Sequence, residues 1–95
     1  LSKAQCKRLA LAAHDGLARA IRPVHTPMDG DVVFAASTAA AGQQTCGPEA
    51  LALLCATASD VLARAVARGV YEATALPFAG ALPAYREKFQ NRSMR

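Results

Sequence analysis

Apolar side chains near the start of the chain recur at intervals of three and four residues, which is the spacing of one helix face. Between Ser2 and Ile21 these positions are Leu9, Ala13, Leu17, Ala20 and Ile21. The pattern predicts a helix with Ser2 as N-cap and Pro23 as its stop. Gly16 lies inside this helix, where glycine costs about 1 kcal/mol relative to alanine. We therefore expect the helix to pack closely on a neighbour at Gly16.

The next apolar run contains no polar residue that would indicate a solvent-facing side. It covers Val32–Ala36, extends to Thr38, and has β-branched and aromatic content. Such a run predicts a strand covered on both sides. Because one strand cannot pair its own backbone groups, its partner strands must lie outside this sequence. Ser37 and Thr38 at its exit are expected to satisfy backbone groups before doing any chemistry.

A second helix is predicted from Pro48 to Tyr71 or Ala73, since a proline followed by an acid is a favourable first turn. Its apolar stripe contains Leu51, Leu54, Cys55, Ala58, Val61, Leu62, Ala65 and Val66. In residues 76–95 the prolines and a glycine forbid long regular elements, so this part is an irregular tail that is expected to be disordered from Gln90. The prediction is an α/β fold of helix, strand and helix.

Length limits how complete this fold is. A chain of 95 residues buries only about 60–65% of the surface that its unfolded form exposes. With a single strand that needs partners, residues 1–95 are expected to be one incomplete domain.

Charge and hydropathy exclude some classes of partner. The net charge of +4 comes from 11 Lys and Arg against 7 Asp and Glu. The basic residues are scattered, and few aromatic residues are available to stack bases, so a solvated basic surface is favoured over nucleic-acid binding. Asp60, Arg64 and Arg68 interrupt the longest apolar segment, and no secretion signal precedes it, so no membrane contact is expected.

The cysteines indicate the redox setting. Cys6, Cys46 and Cys55 are an odd number with no C-x-x-C pair, which argues against a zinc site and against a disulfide framework. We predict no metal or cofactor and a reducing, cytoplasmic location.

Candidate chemistry concentrates in residues 22–31, immediately before the apolar run. Asp29 and Asp31 flank Gly30, and this pair can bind a metal, act as acid and base, or hold a cationic group. The calcium-loop pattern is absent, and a bare Asp-Gly-Asp is more often a turn.

Histidine suggests a nucleophile pair, with His25 as base and Cys46, Ser37 or Thr38 as nucleophile. The chain has no Gly-x-Ser-x-Gly elbow, so a loop histidine that bonds backbone is favoured. His14 is expected on the helix surface.

Several blocks of sequence taken together carry a resemblance to a known family. They are residues 1–9 and 13–26 of the first helix, the turn 29–31, the run 32–38, and the later segments 66–74 and 82–86. Together they resemble the β-chain of the DmpA-type L-aminopeptidase/D-esterase family. The resemblance covers nearly the whole chain, and the combination is more specific than any one block.

That resemblance implies an autoprocessing hydrolase with a layered αββα sandwich. The precursor cleaves itself, and the new N-terminal Ser or Thr becomes the nucleophile with its own amino group as base. It further implies that this chain is the C-terminal portion of the β-chain, beginning shortly after the nucleophile. Its expected partners are the rest of the same precursor, namely the α-chain and the start of the β-chain, together with further copies in a homo-oligomer and a peptide substrate.

The family's Ser-Gly-Glu-like element corresponds to Asp29-Gly30-Asp31. The resemblance therefore makes Asp31 and Asp29 supporting residues of the active site, although each departs from the family's residue type. A carboxylate beside a terminal ammonium orients it and tunes its pKa.

The leading hypothesis is an aminopeptidase or amidohydrolase that releases N-terminal residues from peptides, amides or esters, with this chain inactive alone. The alternative is a small α/β interaction module without catalysis.

Overall fold

The computed structural model describes residues 1–38 and 45–90, and their regular elements are helices. Helix α1 spans Lys3–Ala20, helix α2 spans Pro48–Glu72, and a single π-helical turn spans Arg86–Gln90. The chain divides into two compact units, residues 1–64 and 65–95, and α2 contributes to both. Both long helices were predicted, with bounds that agree within one or two residues.

Local hydrogen bonds explain where α1 begins and ends. The Ser2 hydroxyl accepts from the Gln5 backbone N–H at 3.1 Å, and the Gln5 side chain accepts from the Ser2 N–H at 3.1 Å. This reciprocal capping box satisfies donors that a helix start leaves unpaired. At the other end the Ile21 N–H donates to the Leu17 carbonyl at 2.8 Å, in extended geometry two residues before Pro23. The predicted N-cap and stop are confirmed.

In the first unit α1 packs against α2 at Gly16. Gly16 and Ala13 are buried on α1, and Ser59 of α2 is only 9% exposed. The small side chains let the two helices approach each other, as the glycine in the pattern predicted.

The predicted strand is wrong. Residues 31–38 form no strand, and Val32 and Phe34 are 61% and 87% exposed. A strand needs hydrogen bonds from a neighbour, and the described residues supply no extended partner beside this run. The expected helix-strand-helix arrangement, and with it the αββα sandwich, is therefore not the structure of the described chain, which is helical.

The tail is mostly irregular, with the short turn Arg86–Gln90 as its regular element. In the second unit the Glu87 carboxylate accepts from the N–H groups of Ala75 and Ala84, both at 3.3 Å. The disorder expected for residues 91–95 lies outside the described residues. Gln90 itself ends the helical turn.

Helix α2 is long and apolar enough, by length and composition, to cross a membrane. Asp60, Arg64 and Arg68 interrupt its apolar sequence, and this had predicted that the helix would not qualify. Core helices of soluble proteins can have the same length and composition. Helix α2 also carries an ion pair at Asp60 and a contact with α1 at Ser59. The absence of membrane contact stays a prediction.

Few apolar side chains of the described chain are buried within it. Ala13 and Ala84 are its buried apolar residues, at 7% and 9% exposure, whereas Leu53 is 71% exposed. Burial of apolar surface is the main favourable term in folding. The described residues therefore leave much of the apolar surface of their helices uncovered.

Candidate functional site

The loop from Arg22 to Asp31 is held by its own carboxylates. Asp29 Oδ2 accepts from the Thr26 backbone N–H at 3.0 Å, and the Asp29 N–H donates back to the Thr26 carbonyl at 3.0 Å. An aspartate side chain that bonds a nearby backbone donor is a standard way of closing a turn. Asp29 therefore has a structural role in this loop, as the turn interpretation predicted.

Asp31 fixes the position of His25. Its Oδ2 accepts from the His25 backbone N–H at 3.2 Å and lies 3.4 Å from His25 Nδ1. His25 has a φ of 54°, the left-handed region that non-glycine residues seldom adopt. The carboxylate thus stabilises an uncommon backbone geometry and orients the imidazole ring at the same time.

The ring of His25 also meets α1. Its Nε2 lies 3.3 Å from His14 Nδ1, and the ring centroids are 4.9 Å apart. One of these nitrogens must donate and the other accept, so at least one ring is neutral while the bond exists. Asp31, His25 and His14 form a continuous line of carboxylate, imidazole and imidazole.

Sequence reasoning missed this line of side chains. It placed His14 on the surface alone and expected His25 to bond backbone groups, whereas the ring of His25 contacts two side chains. The position of the helix stop at Pro23 was the sequence signal that could have indicated this contact. A chain that turns back immediately after α1 returns its loop residues to the last turns of the same helix.

The proposed nucleophile partners of His25 lie in other surroundings. The Cys46 backbone is bound to the Gln5 side chain, with N–H donating at 3.1 Å and the carbonyl accepting at 2.7 Å. The Ser37 hydroxyl is 3.4 Å from the Leu1 amino group, and Thr38 is exposed. The contacts of the His25 ring are with His14 and Asp31, so the structure favours none of the Cys–His, Ser–His and Thr–His pairs.

A second polar cluster lies between α1 and α2. The Arg19 guanidinium is 2.5 Å from Asp60 Oδ1 and 3.5 Å from the Ser59 hydroxyl. The side chains of the ion pair are 55% and 63% exposed, and exposed pairs of this kind contribute at most about 1 kcal/mol. This cluster links the helices and has no evident chemistry of its own.

The chain resembles known proteins over most of its length, including the loop from Arg22 to Asp31. A sequence model of the family described as Peptidase family S58 matches residues 1–81. Proteins named as uncharacterized aminopeptidases from Mycobacterium bovis and Mycobacterium tuberculosis are each 50% identical over 98 residues, which cover 94% of this chain and 28% of each relative. One from Mycobacterium leprae is 47% identical over 75 residues, covering 70% of this chain and 21% of the relative. The chain thus spans about 28% of the length of the first of these relatives, and no solved structure matches it.

Proposed function

The chain belongs to peptidase family S58, and we propose that its protein is an aminopeptidase or amidohydrolase that releases N-terminal residues from peptides, amides or esters. The family match over residues 1–81 carries this proposal, since it includes α1, the loop and most of α2. Relatives at 50% identity bear the name aminopeptidase, which supports the same class of reaction.

The nucleophile is proposed to lie in the rest of the protein, as a Ser or Thr exposed at a new N-terminus by self-cleavage. Such an enzyme uses the terminal amino group as its base, which must be neutral to accept the proton of the hydroxyl. The 95 residues would then support the active site without completing it. We expect the isolated chain to have no hydrolytic activity.

Asp31 is the proposed supporting residue, with Asp29 beside it. The contacts of the loop favour this role because they fix both carboxylates: Asp31 through His25, and Asp29 through Thr26. A carboxylate held near the terminal amino group orients that group by accepting its hydrogen bond, although its negative charge favours the ammonium form over the neutral base. Asp31 would therefore support the reaction by position, while Asp29 maintains the turn that presents it.

The rest of the precursor is proposed to cover the apolar surface that this chain leaves open. Phe34 is 87% exposed, Val32 61% and Leu53 71%, and each apolar side chain of this size gains about 1.5–3 kcal/mol on full burial. The relatives are several times longer than this chain, so they contain the material for such contacts. Assembly into a homo-oligomer and a cytoplasmic location remain proposals of the same kind.

The test uses the full-length protein. Its intact mass reveals whether it separates into two chains, and aminoacyl p-nitroanilides report aminopeptidase activity. We expect two chains and release of nitroaniline, with neither in a variant whose new N-terminal Ser or Thr is replaced by alanine. A single uncleaved chain that hydrolyses none of these substrates would contradict the proposal and favour a non-catalytic interaction module.

A further inference from the structure

The two imidazole nitrogens that face each other have the spacing of two ligands on one metal ion. His14 Nδ1 and His25 Nε2 are 3.3 Å apart. Zinc binds imidazole nitrogen at about 2.0–2.1 Å in tetrahedral geometry, which places two such nitrogens about 3.3–3.4 Å apart. A metal ion can replace the hydrogen bond between these rings with little change in their positions.

The surroundings of His25 match those of a metal-binding histidine. Such a histidine usually donates its other ring N–H to a carboxylate, which fixes the tautomer and the ring orientation. Here Nδ1 of His25 lies 3.4 Å from Asp31 Oδ2, and the same oxygen accepts from the His25 backbone N–H. In the tautomer that carries its hydrogen on Nδ1, the nitrogen nearer Asp31, His25 presents the Nε2 lone pair towards His14.

We propose that His14 and His25 form a two-histidine site for a divalent transition-metal ion, with Asp31 as a positioning residue. Imidazole suits zinc, copper and nickel ions, whereas magnesium and calcium prefer oxygen. The side chain of His25 is 41% exposed, so an ion reaches the site from solvent. This inference goes beyond the proposed peptidase activity and does not depend on it.

The site is open, with water as its remaining ligands. Among the described residues no group of three or more His, Cys, Asp or Glu is placed to hold one ion. A site with two protein ligands keeps free positions, as catalytic and exchangeable sites do and closed structural sites do not. The sequence-based prediction of no metal rests on the absence of a C-x-x-C pair and of a histidine at ligand spacing, and two histidines eleven positions apart fall outside those spacings.

Calorimetry with Zn²⁺ tests the affinity in the full-length protein. We expect one ion to bind per chain, and Asp31→Asn to weaken binding about 10–100-fold while Asp31→Glu restores most of it. Because losing a ligand costs more than losing its outer partner, His14→Ala and His25→Ala should each weaken binding about 100-fold or more. Asp15→Asn, which alters an acid next to His14 on α1, is the matched control and should leave affinity unchanged.

Electron paramagnetic resonance with one equivalent of Cu²⁺ tests the ligands directly. The wild-type spectrum should show coupling to two imidazole nitrogens, and each histidine variant should show one. The Asp31→Asn variant should keep two coupled nitrogens, because Asp31 is proposed to position His25 and not to bind the ion. Circular dichroism establishes that the variants are folded. Unchanged Zn²⁺ affinity in both histidine variants, or a wild-type spectrum without two coupled nitrogens, would overturn the site.

Discussion

Gly16 of α1 lies so close to Ser59 of α2 that a Cβ atom at position 16 would be 2.5 Å from the Ser59 carbonyl oxygen. It would also be 2.9 Å from Leu62 Cβ and 3.0 Å from the Ala63 nitrogen. Two of these three atoms are backbone, which cannot move aside as a flexible side chain does. The approach of the two helices in the first unit therefore requires glycine at this position.

Gly16→Ala should destabilise the protein even though alanine is the better helix former. Forcing a methyl group into a filled space typically costs about 1–3 kcal/mol, which outweighs the gain of about 1 kcal/mol in helix propensity. Urea denaturation of the full-length protein measures the difference. Gly69→Ala in α2 is the matched control, because nothing lies within 4 Å of a Cβ there. The control should stabilise, and equal effects of the two substitutions would refute the close approach.

Ser2→Ala should remove the cap of α1. The Ser2 hydroxyl accepts the Gln5 N–H at 3.1 Å, and loss of such a cap costs about 0.5–2 kcal/mol. Ser2→Asp keeps an acceptor at the same place and should retain most of the stability. Hydrogen exchange at the Gln5 amide reports the bond itself: faster exchange in the alanine variant alone is expected. Equal exchange in both variants would exclude the cap.

Asp29→Ala should loosen the loop because the Thr26 N–H loses its acceptor at 3.0 Å. The cost should be about 1 kcal/mol, the usual net contribution of one hydrogen bond. Asp29→Asn keeps a side-chain oxygen and is the control. Nuclear magnetic resonance should show a change in the chemical shift of the Thr26 amide in the Asp29→Ala variant and a much smaller change in the Asp29→Asn variant. If both substitutions leave that amide unchanged, Asp29 does not close the turn.

Asp31→Asn in the full-length protein should lower kcat/KM on an aminoacyl nitroanilide. Loss of the charge that orients a reacting group, or a shift of about 1 Å in its position, costs on the order of 10²-fold. Asp60→Asn is the control, since it alters an exposed carboxylate paired with Arg19. The rate of self-cleavage is read from intact mass in the same preparations. Wild-type rates for both reactions would remove Asp31 from the active site.

The candidate loop was predictable only in part. Its position and its two carboxylates followed from the concentration of polar and turn-forming residues between Arg22 and Asp31. The partners of those carboxylates did not, because a hydrogen bond from Thr26 or His25 depends on backbone angles such as the φ of 54° at His25. No sequence pattern specifies that angle for a histidine.

The amino-acid sequence by itself determined the helices α1 and α2 and predicted a close neighbour at Gly16, whereas the tertiary structure identified that neighbour as Ser59 of α2. Helix bounds depend on capping, proline stops and periodicity, which act over a few neighbouring residues. Tertiary structure alone decided that residues 32–36 form no strand and that the side chain of His14 contacts that of His25. A strand exists only where another segment pairs with its backbone, and two histidines eleven positions apart meet only if the chain reverses between them. Both outcomes depend on contacts between segments that are distant in the sequence, and local sequence patterns do not specify such contacts.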